Sequence, residues 1–267
     1  MQDEQDESIL SILHIHVRFL TATIVPVSAS IAESLARVRA RIERAAVFAG
    51  RDPAMVTLVA VSKTFPASAV AEAYAAGQRD FGENRVEEAL PKLAELGPRP
   101  GLRCHLIGHV QSRKTSDFGG EFALIHSVDT LKLAARLSAR AIAQERPAQD
   151  ILLECNVSGE ASKEGFAAAG WERDSEVREA FVAEVTRITA LPGLRVRGLM
   201  TMAPVVVDPE LARPIFASLR GLRELLHARI ADLDAPELSM GMTDDFEAAI
   251  AEGSTLVRIG RAIFGAR

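Results

Sequence analysis

Leu58-Val59-Ala60-Val61-Ser62-Lys63-Thr64-Phe65-Pro66 is the stretch on which the fold turns. Its first four residues are apolar and β-rich, as in a strand buried on both faces, and a lysine stands just beyond them before Pro66 closes the segment. Lys63 is therefore predicted at a strand's carboxyl end. In sheets of parallel strands that end is where ligands bind, and a lysine partly removed from water loses proton affinity until its amine can attack a carbonyl. Taken alone, the stretch reads more readily as a surface lysine whose stem snorkels from a strand end. The rest of the chain shifts that balance.

Outward from this stretch the same order of elements repeats. A helix opens at Ser30, where Ser30 and Glu33 make an S-x-x-E capping box and Ile31, Leu35, Val38, Ile42 and Ala46 recur on one face. Thr57 to Ser62 is the first expected strand, and the alanine-rich Ala67 to Ala76 the first helix behind a strand, stopped by Gly77. Further strands are expected at Arg79 to Gly82, Leu102 to Ile107, Ala123 to Ser127, Ile151 to Val157, Leu194 to Met200, Glu237 to Met240 and Thr255 to Ile259. Helical sequence follows each one: Arg85 to Leu96, a short helix from Gln111, Leu131 to Glu145, Ser175 to Ala190, Pro209 to Ala231, Asp244 to Glu252 and Ala262 to Phe264. Eight strand–helix units in 267 residues predict an α/β fold, a single (β/α)8 TIM barrel, a fold of typically about 250 residues. The rival is a doubly wound open sheet. No G-x-G-x-x-G follows a strand and no G-x-x-x-x-G-K-[ST] occurs, which argues against it. One domain, residues 30–267, is expected after an extension at residues 1–29.

Composition narrows the function. A formal net charge of -5 and a pI near 5.8 argue against nucleic acid held by bulk electrostatics. Cys104 and Cys155 fall in apolar runs, where a thiol packs as a small hydrophobe, so both are expected reduced in a cytoplasmic protein. The extension opens acidic, the wrong charge for a secretory leader. Its apolar run holds His14, His16 and Arg18, so no membrane span is expected, and the segment reads as disordered or loosely docked.

In a closed barrel the residues at strand carboxyl ends converge on one face. Here these are Lys63, Glu83, Asn84, His109, Ser158, Gly159, Met202, Ser239, Gly241 and Gly260, with Arg258 inside the last strand. Ser239-Met240-Gly241-Met242-Thr243 runs into a helix, and Gly260, Ala262 and Gly265 let backbone amides approach a ligand, an arrangement suited to a phosphate. An imine-forming lysine across a barrel mouth from a phosphate site points to pyridoxal 5'-phosphate or to a phospho-sugar aldolase. Residue chemistry alone does not separate the two. His105 and His109 lack the carboxylate or cysteine set that would complete a zinc site, so no metal is expected.

Seven segments then carry a resemblance: Leu-Val-Ala-Val-Ser-Lys-Thr at 58–64, Phe-Gly-Glu-Asn at 81–84 and His-Leu-Ile-Gly-His-Val-Gln-Ser-Arg-Lys at 105–114. They continue with Ser-Gly-Glu at 158–160 before Lys163-Glu164-Gly165-Phe166, Gly-Leu-Met-Thr-Met at 198–202, Leu-Ser-Met-Gly-Met at 238–242 and Val-Arg-Ile-Gly-Arg-Ala-Ile-Phe-Gly at 257–265. In order and spacing this resembles the YggS/PROSC family of pyridoxal phosphate homeostasis proteins, similar in fold to the alanine racemase N-terminal domain. The resemblance implies pyridoxal 5'-phosphate as a covalent aldimine on Lys63. It also implies phosphate contacts from Ser239, Gly241 and Gly260, Asn84 near the ring, and Arg258 at either the phosphate or the pyridine nitrogen. Arg261 stands where the family commonly has a small residue.

Catalysis of the racemase type needs a second base opposite the lysine. The one tyrosine, Tyr74, lies in the helix behind the first strand, where packing is its expected role, and the sequence given stops at Arg267 without a second domain. No catalytic residue is therefore assigned. The expectation is a monomeric, cytoplasmic protein that binds and buffers the cofactor, with apo-enzymes that use it as transient recipients. A single-domain racemase or lyase is the alternative. Lys163, in its Ser-Gly-Glu loop, is expected to be mobile and solvated.

Overall fold

The structure is a computed structural model that describes residues 29–110 and 120–265. The extension, apart from Ala29, and most of the helix expected from Gln111 lie outside these residues. Helix α1 (Ile31–Phe48) carries the expected capping box, with Glu33 N–H donating to Ser30 Oγ at 3.2 Å and Ser30 N–H donating to Glu33 Oε2 at 2.9 Å. Leu35, Val38, Ile42 and Ala46 are its buried stripe.

The alternating pattern then follows: β1 (Thr57–Val61), α2 (Ala67–Ala75), β2 (Asp80–Glu83), α3 (Val86–Leu96), β3 (Arg103–Leu106), β4 (Leu124–Val128), α4 (Leu131–Ala143) and β5 (Gln149–Asn156). A two-residue strand that periodicity does not reveal, β6 (Phe166–Ala167), pairs with the end of β5. The chain continues through α5 (Ser175–Thr189), β7 (Leu194–Met200), α6 (Arg213–Arg229), β8 (Glu237–Ser239), α7 (Phe246–Ala251), β9 (Leu256–Ile259) and α8 (Arg261–Phe264). All pairings are parallel, and β4 pairing with β5 closes the order β4-β3-β2-β1-β9-β8-β7-β5 on itself. The fold is the expected barrel.

Two helices begin two or more residues later than the sequence pattern predicts. The helix expected from Pro209 starts as a 3₁₀ turn, Pro209–Ala212, and becomes α-helical at Arg213, with Pro214 in the first turn where its missing N–H does no harm. The helix expected from Asp244 starts at Phe246, because Asp245 Oδ1 accepts from Met242 N–H at 2.6 Å and holds 242–245 as a turn.

Inside and outside are told apart by one bond. His126 on β4 meets Ser239 on β8, strands that are not neighbours, so their side chains cross the lumen. Strand alternation puts Leu124, Leu152 and Leu256, two residues before His126, Glu154 and Arg258, on the same inner face. With Val59 and Met200 they form a separate apolar cluster inside the barrel, on the far side of Glu154 and Arg258 from the mouth. Outer strand residues pack under the helices, and Tyr74 of α2 packs against this layer. Its hydroxyl donates to Pro100 O at 2.8 Å and Arg79 lies over its ring, a structural role as expected. No described helix is long and apolar enough to cross a membrane.

Candidate functional site

Lys63 follows β1 by two residues and is half-buried. Its backbone is held on the amino side by Ser62, fully buried, whose Oγ donates to Glu83 Oε1 at 2.6 Å. Lys92, reaching in from α3, donates to that same carboxylate oxygen at 2.6 Å and to Ser62 O at 2.9 Å. On the carboxyl side Thr64 takes a φ of 69°, a left-handed conformation that is strained by about 1–3 kcal/mol for a β-branched residue. Phe65 then stacks on Phe264 of α8, with ring centroids 5.2 Å apart. The lysine turn therefore lies against the turn after the last strand, where the phosphate loops were expected.

The other expected residues are arranged as follows. Gly260 caps α8, and a Cβ built on it would stand 3.2 Å from Val61 O, so this turn is closed against the end of β1. Gly241 has a φ of +94°, and a Cβ there would come within 2.7 Å of the Ala249 methyl and 2.9 Å of Phe246 Cα. Its carbonyl accepts from Arg258 N–H at 3.0 Å, so it ties the ends of β8 and β9 together. Asn84 is packed against Gly108, where a Cβ would stand 2.2 Å from Asn84 O and 2.8 Å from its Oδ1. Gly108→Ala is accordingly expected to displace Asn84 and to lower thermal stability by about 1–3 kcal/mol, the usual penalty of overpacking; an unchanged melting temperature would contradict this.

Ser239 is fully buried, and its Oγ accepts from Arg258 Nη1 at 2.5 Å and meets His126 Nδ1 at 2.8 Å. The other hydroxyl residue of this segment, Thr243, is half-buried and follows Ser239 by four residues. Arg258 itself is buried, and Nη2 donates to Thr201 O at 2.9 Å. Burial lowers its pKa to about 10, so the guanidinium stays charged at neutral pH. Arg261 is paired with Asp244 on the rim. Lys163 is not solvated as expected: its Nζ donates to Met202 O at 2.8 Å and pairs with Glu160 at 2.6 Å, with 16% of its side chain exposed. This bridge fastens the loop after β5 to the end of β7.

Glu154, on β5, was missed because a lone glutamate in an apolar run gives no signal of its direction. Burial raises its pKa to about 7, with the charge of Arg258 opposing and those of Asp129 and Glu164 reinforcing the shift. The folded state thus binds this proton more tightly than the unfolded chain, and the associated stability is full below pH 4.5 and lost as pH rises through 7. Glu154→Gln should gain about 3 kcal/mol on wild type between pH 4.5 and 8. Denaturant titrations at both pH values check it; a flat variant-minus-wild-type difference contradicts it. Nearby, potential ligand atoms of His109, Asp129 and Glu164 lie within 4.8 Å of one another, with His109 Nδ1 and Asp129 Oδ2 paired at 3.0 Å. His105 is not part of this cluster: it is buried, with its ring nitrogens against His126 and Asp80. Both thiols are buried and unreactive: burial pushes Cys104 up to about 12 and Cys155 well above its ordinary value.

Residues 34–267 match the sequence model of the alanine racemase N-terminal domain. A pyridoxal phosphate homeostasis protein of Pseudomonas aeruginosa is 50% identical over 242 residues, covering 89% of this chain and 96% of that one. This chain belongs to that family. The protein of the same name in Escherichia coli K12 is 46% identical over 244 residues, covering 89% and 97%. Among solved structures, PipY of Synechococcus elongatus with pyridoxal phosphate bound superposes with a TM-score of 0.74 at 37% identity, covering 88% of this chain and all (100%) of that one. Alanine racemase from Corynebacterium glutamicum, at 16% identity, shares the fold with a TM-score of 0.64, covering 88% of this chain and 62% of its own.

Proposed function

We propose that this family member binds pyridoxal 5'-phosphate, takes its aldehyde on Lys63 Nζ, and serves to store and release the cofactor rather than to turn over a substrate. The observation that carries this reading is the meeting of the Lys63 turn with the Gly260 turn, at the end of the strand that carries the charged, buried Arg258. The residues suit the group: an amine for the aldehyde, glycine-lined turns at 241–243 and 260–262 whose amides, other than the Met242 N–H held by Asp245, can face a phosphate, and an inner cation for the ring. When bound, the cofactor supplies an electrophilic aldehyde and a ring able to accept electrons.

The chain's own groups limit what that ring does. Arg258 keeps its protons, so placed opposite the pyridine nitrogen it would leave the ring unprotonated and a poor electron acceptor. Asn84, fixed by Gly108, would border the ring, and Thr243 would add a hydroxyl to the phosphate turn. Ser239 contributes through Arg258. In this proposal the protein works as a cytoplasmic monomer and passes the cofactor to apo-enzymes. Borohydride reduction of loaded protein followed by peptide mass mapping tests the attachment: the cofactor mass should sit on the peptide holding Lys63, and a label elsewhere overturns the reading. One observation favours a second reading. Glu154, poised near neutrality inside the barrel, has the proton affinity of a general base, as a small racemase or lyase would need. Exchange of amino-acid α-protons in deuterated water, lost in Glu154→Gln, would establish it.

A further inference from the structure

Below Arg258 the lumen holds a continuous line of polar side chains. Arg103 Nε and Nη2 donate to the two oxygens of Asp80, each at 2.6 Å. Asp80 Oδ1 lies 2.9 Å from His105 Nε2, His105 Nδ1 lies 2.9 Å from His126 Nε2, and His126 Nδ1 lies 2.8 Å from Ser239 Oγ, to which Arg258 donates. Asp80, His105, His126, Ser239 and Arg258 are all buried. Asp80 and Arg103 open their strands, whereas Ser239 closes one, so the line runs from the far end of the barrel to the level of Arg258.

Its ends set its direction. A guanidinium can only donate and a carboxylate can only accept. Burial, with the charge of Arg258 beside it, holds the His126 imidazole well below its ordinary pKa, so it is neutral and has one N–H. Burial of Asp80 is outweighed by its bonds to His105 and Arg103, which keep it ionised, and Arg103 already supplies the cation opposite it. With Arg258 as donor at one end, ionised Asp80 as acceptor at the other and one proton on each imidazole, a single assignment satisfies every contact.

We infer that His105 and His126 are positioning residues for Arg258, joined in a one-way relay in which Arg258 donates to Ser239, Ser239 to His126, His126 to His105 and His105 to Asp80. Both rings carry their proton on Nε2. The Ser239 hydroxyl hydrogen is committed to His126 and its oxygen to Arg258, so Ser239 influences a ligand by aiming the guanidinium. The inference rests on the proposed placement of the cofactor beside Arg258.

Two measurements test it. Imidazole ¹H–¹⁵N correlation spectra of the cofactor-free full chain should show Nε2–H tautomers for His105 and His126; an Nδ1–H proton on His126, or protons on both nitrogens of His105, overturns the relay. Asp80→Ala, at the end away from the mouth, should weaken pyridoxal phosphate binding about tenfold and shift the visible absorption maximum of the bound cofactor, whereas Arg103→Lys, which keeps a cation opposite Asp80 and so leaves the relay whole, should weaken it less than about threefold. A folded Asp80→Ala with wild-type affinity and spectrum also overturns it. If Asp80→Ala does not fold, the spectra of the unaltered chain decide alone. Trapping on Lys63 separates the two readings: cofactor trapped there with Asp80→Ala unaffected removes only the relay, while a label elsewhere removes the binding reading itself.

Discussion

Lys63→Ala is expected to leave the protein folded and without the visible absorbance of bound cofactor, with affinity for pyridoxal phosphate lower by about 100-fold or more. The physical ground is that the other groups of the proposed site, backbone amides at two turns and the Arg258 cation, would hold the phosphate and ring but offer no nucleophile. Wild-type protein at a cofactor concentration of 100 times its Kd gains about 2.7 kcal/mol, a rise of about 5–10 °C in melting temperature for a chain of this size. Lys63→Ala should show almost none of that rise at the same concentration. Equal thermal shifts for the two proteins would mean that the ligand binds elsewhere.

The second large effect concerns the seat of that lysine. Lys92→Met should remove about 3–5 kcal/mol of stability, because it strands the Glu83 carboxylate, 3% exposed at its side chain, with a donated bond only from Ser62. Glu83 Oε2 already has no hydrogen-bond partner among the described residues, so this acid has little in reserve. A melting temperature about 10 °C lower is the expected readout. Adding Glu83→Gln to Lys92→Met should recover part of the loss, since the uncompensated charge is then gone. A loss under about 1 kcal/mol for Lys92→Met would show that the pair contributes nothing to the turn.

Much of this was legible in the chain because it is local. An apolar run closed by Ser-Lys-Thr states a strand end, Ser30 and Glu33 state a helix start, and glycine at 241 and 260 states a close approach, whichever neighbours are present. Lys163 misled for the same reason: in a polar loop a lysine reads as solvated, and only the end of β7, far away in sequence, supplies its acceptor. His105, His126 and Glu154 gave no functional signal, since inner and outer positions of a strand buried on both faces carry the same hydrophobic pattern.

The sequence by itself determined eight parallel strands, their order and the lysine at the mouth, since strand length, helix period and turn residues are properties of neighbouring residues. Only the closed barrel decided which polar side chains share the lumen. Bonds such as His126 to Ser239 join residues on opposite walls, 113 positions apart, and exist because curvature brings those walls within hydrogen-bond reach.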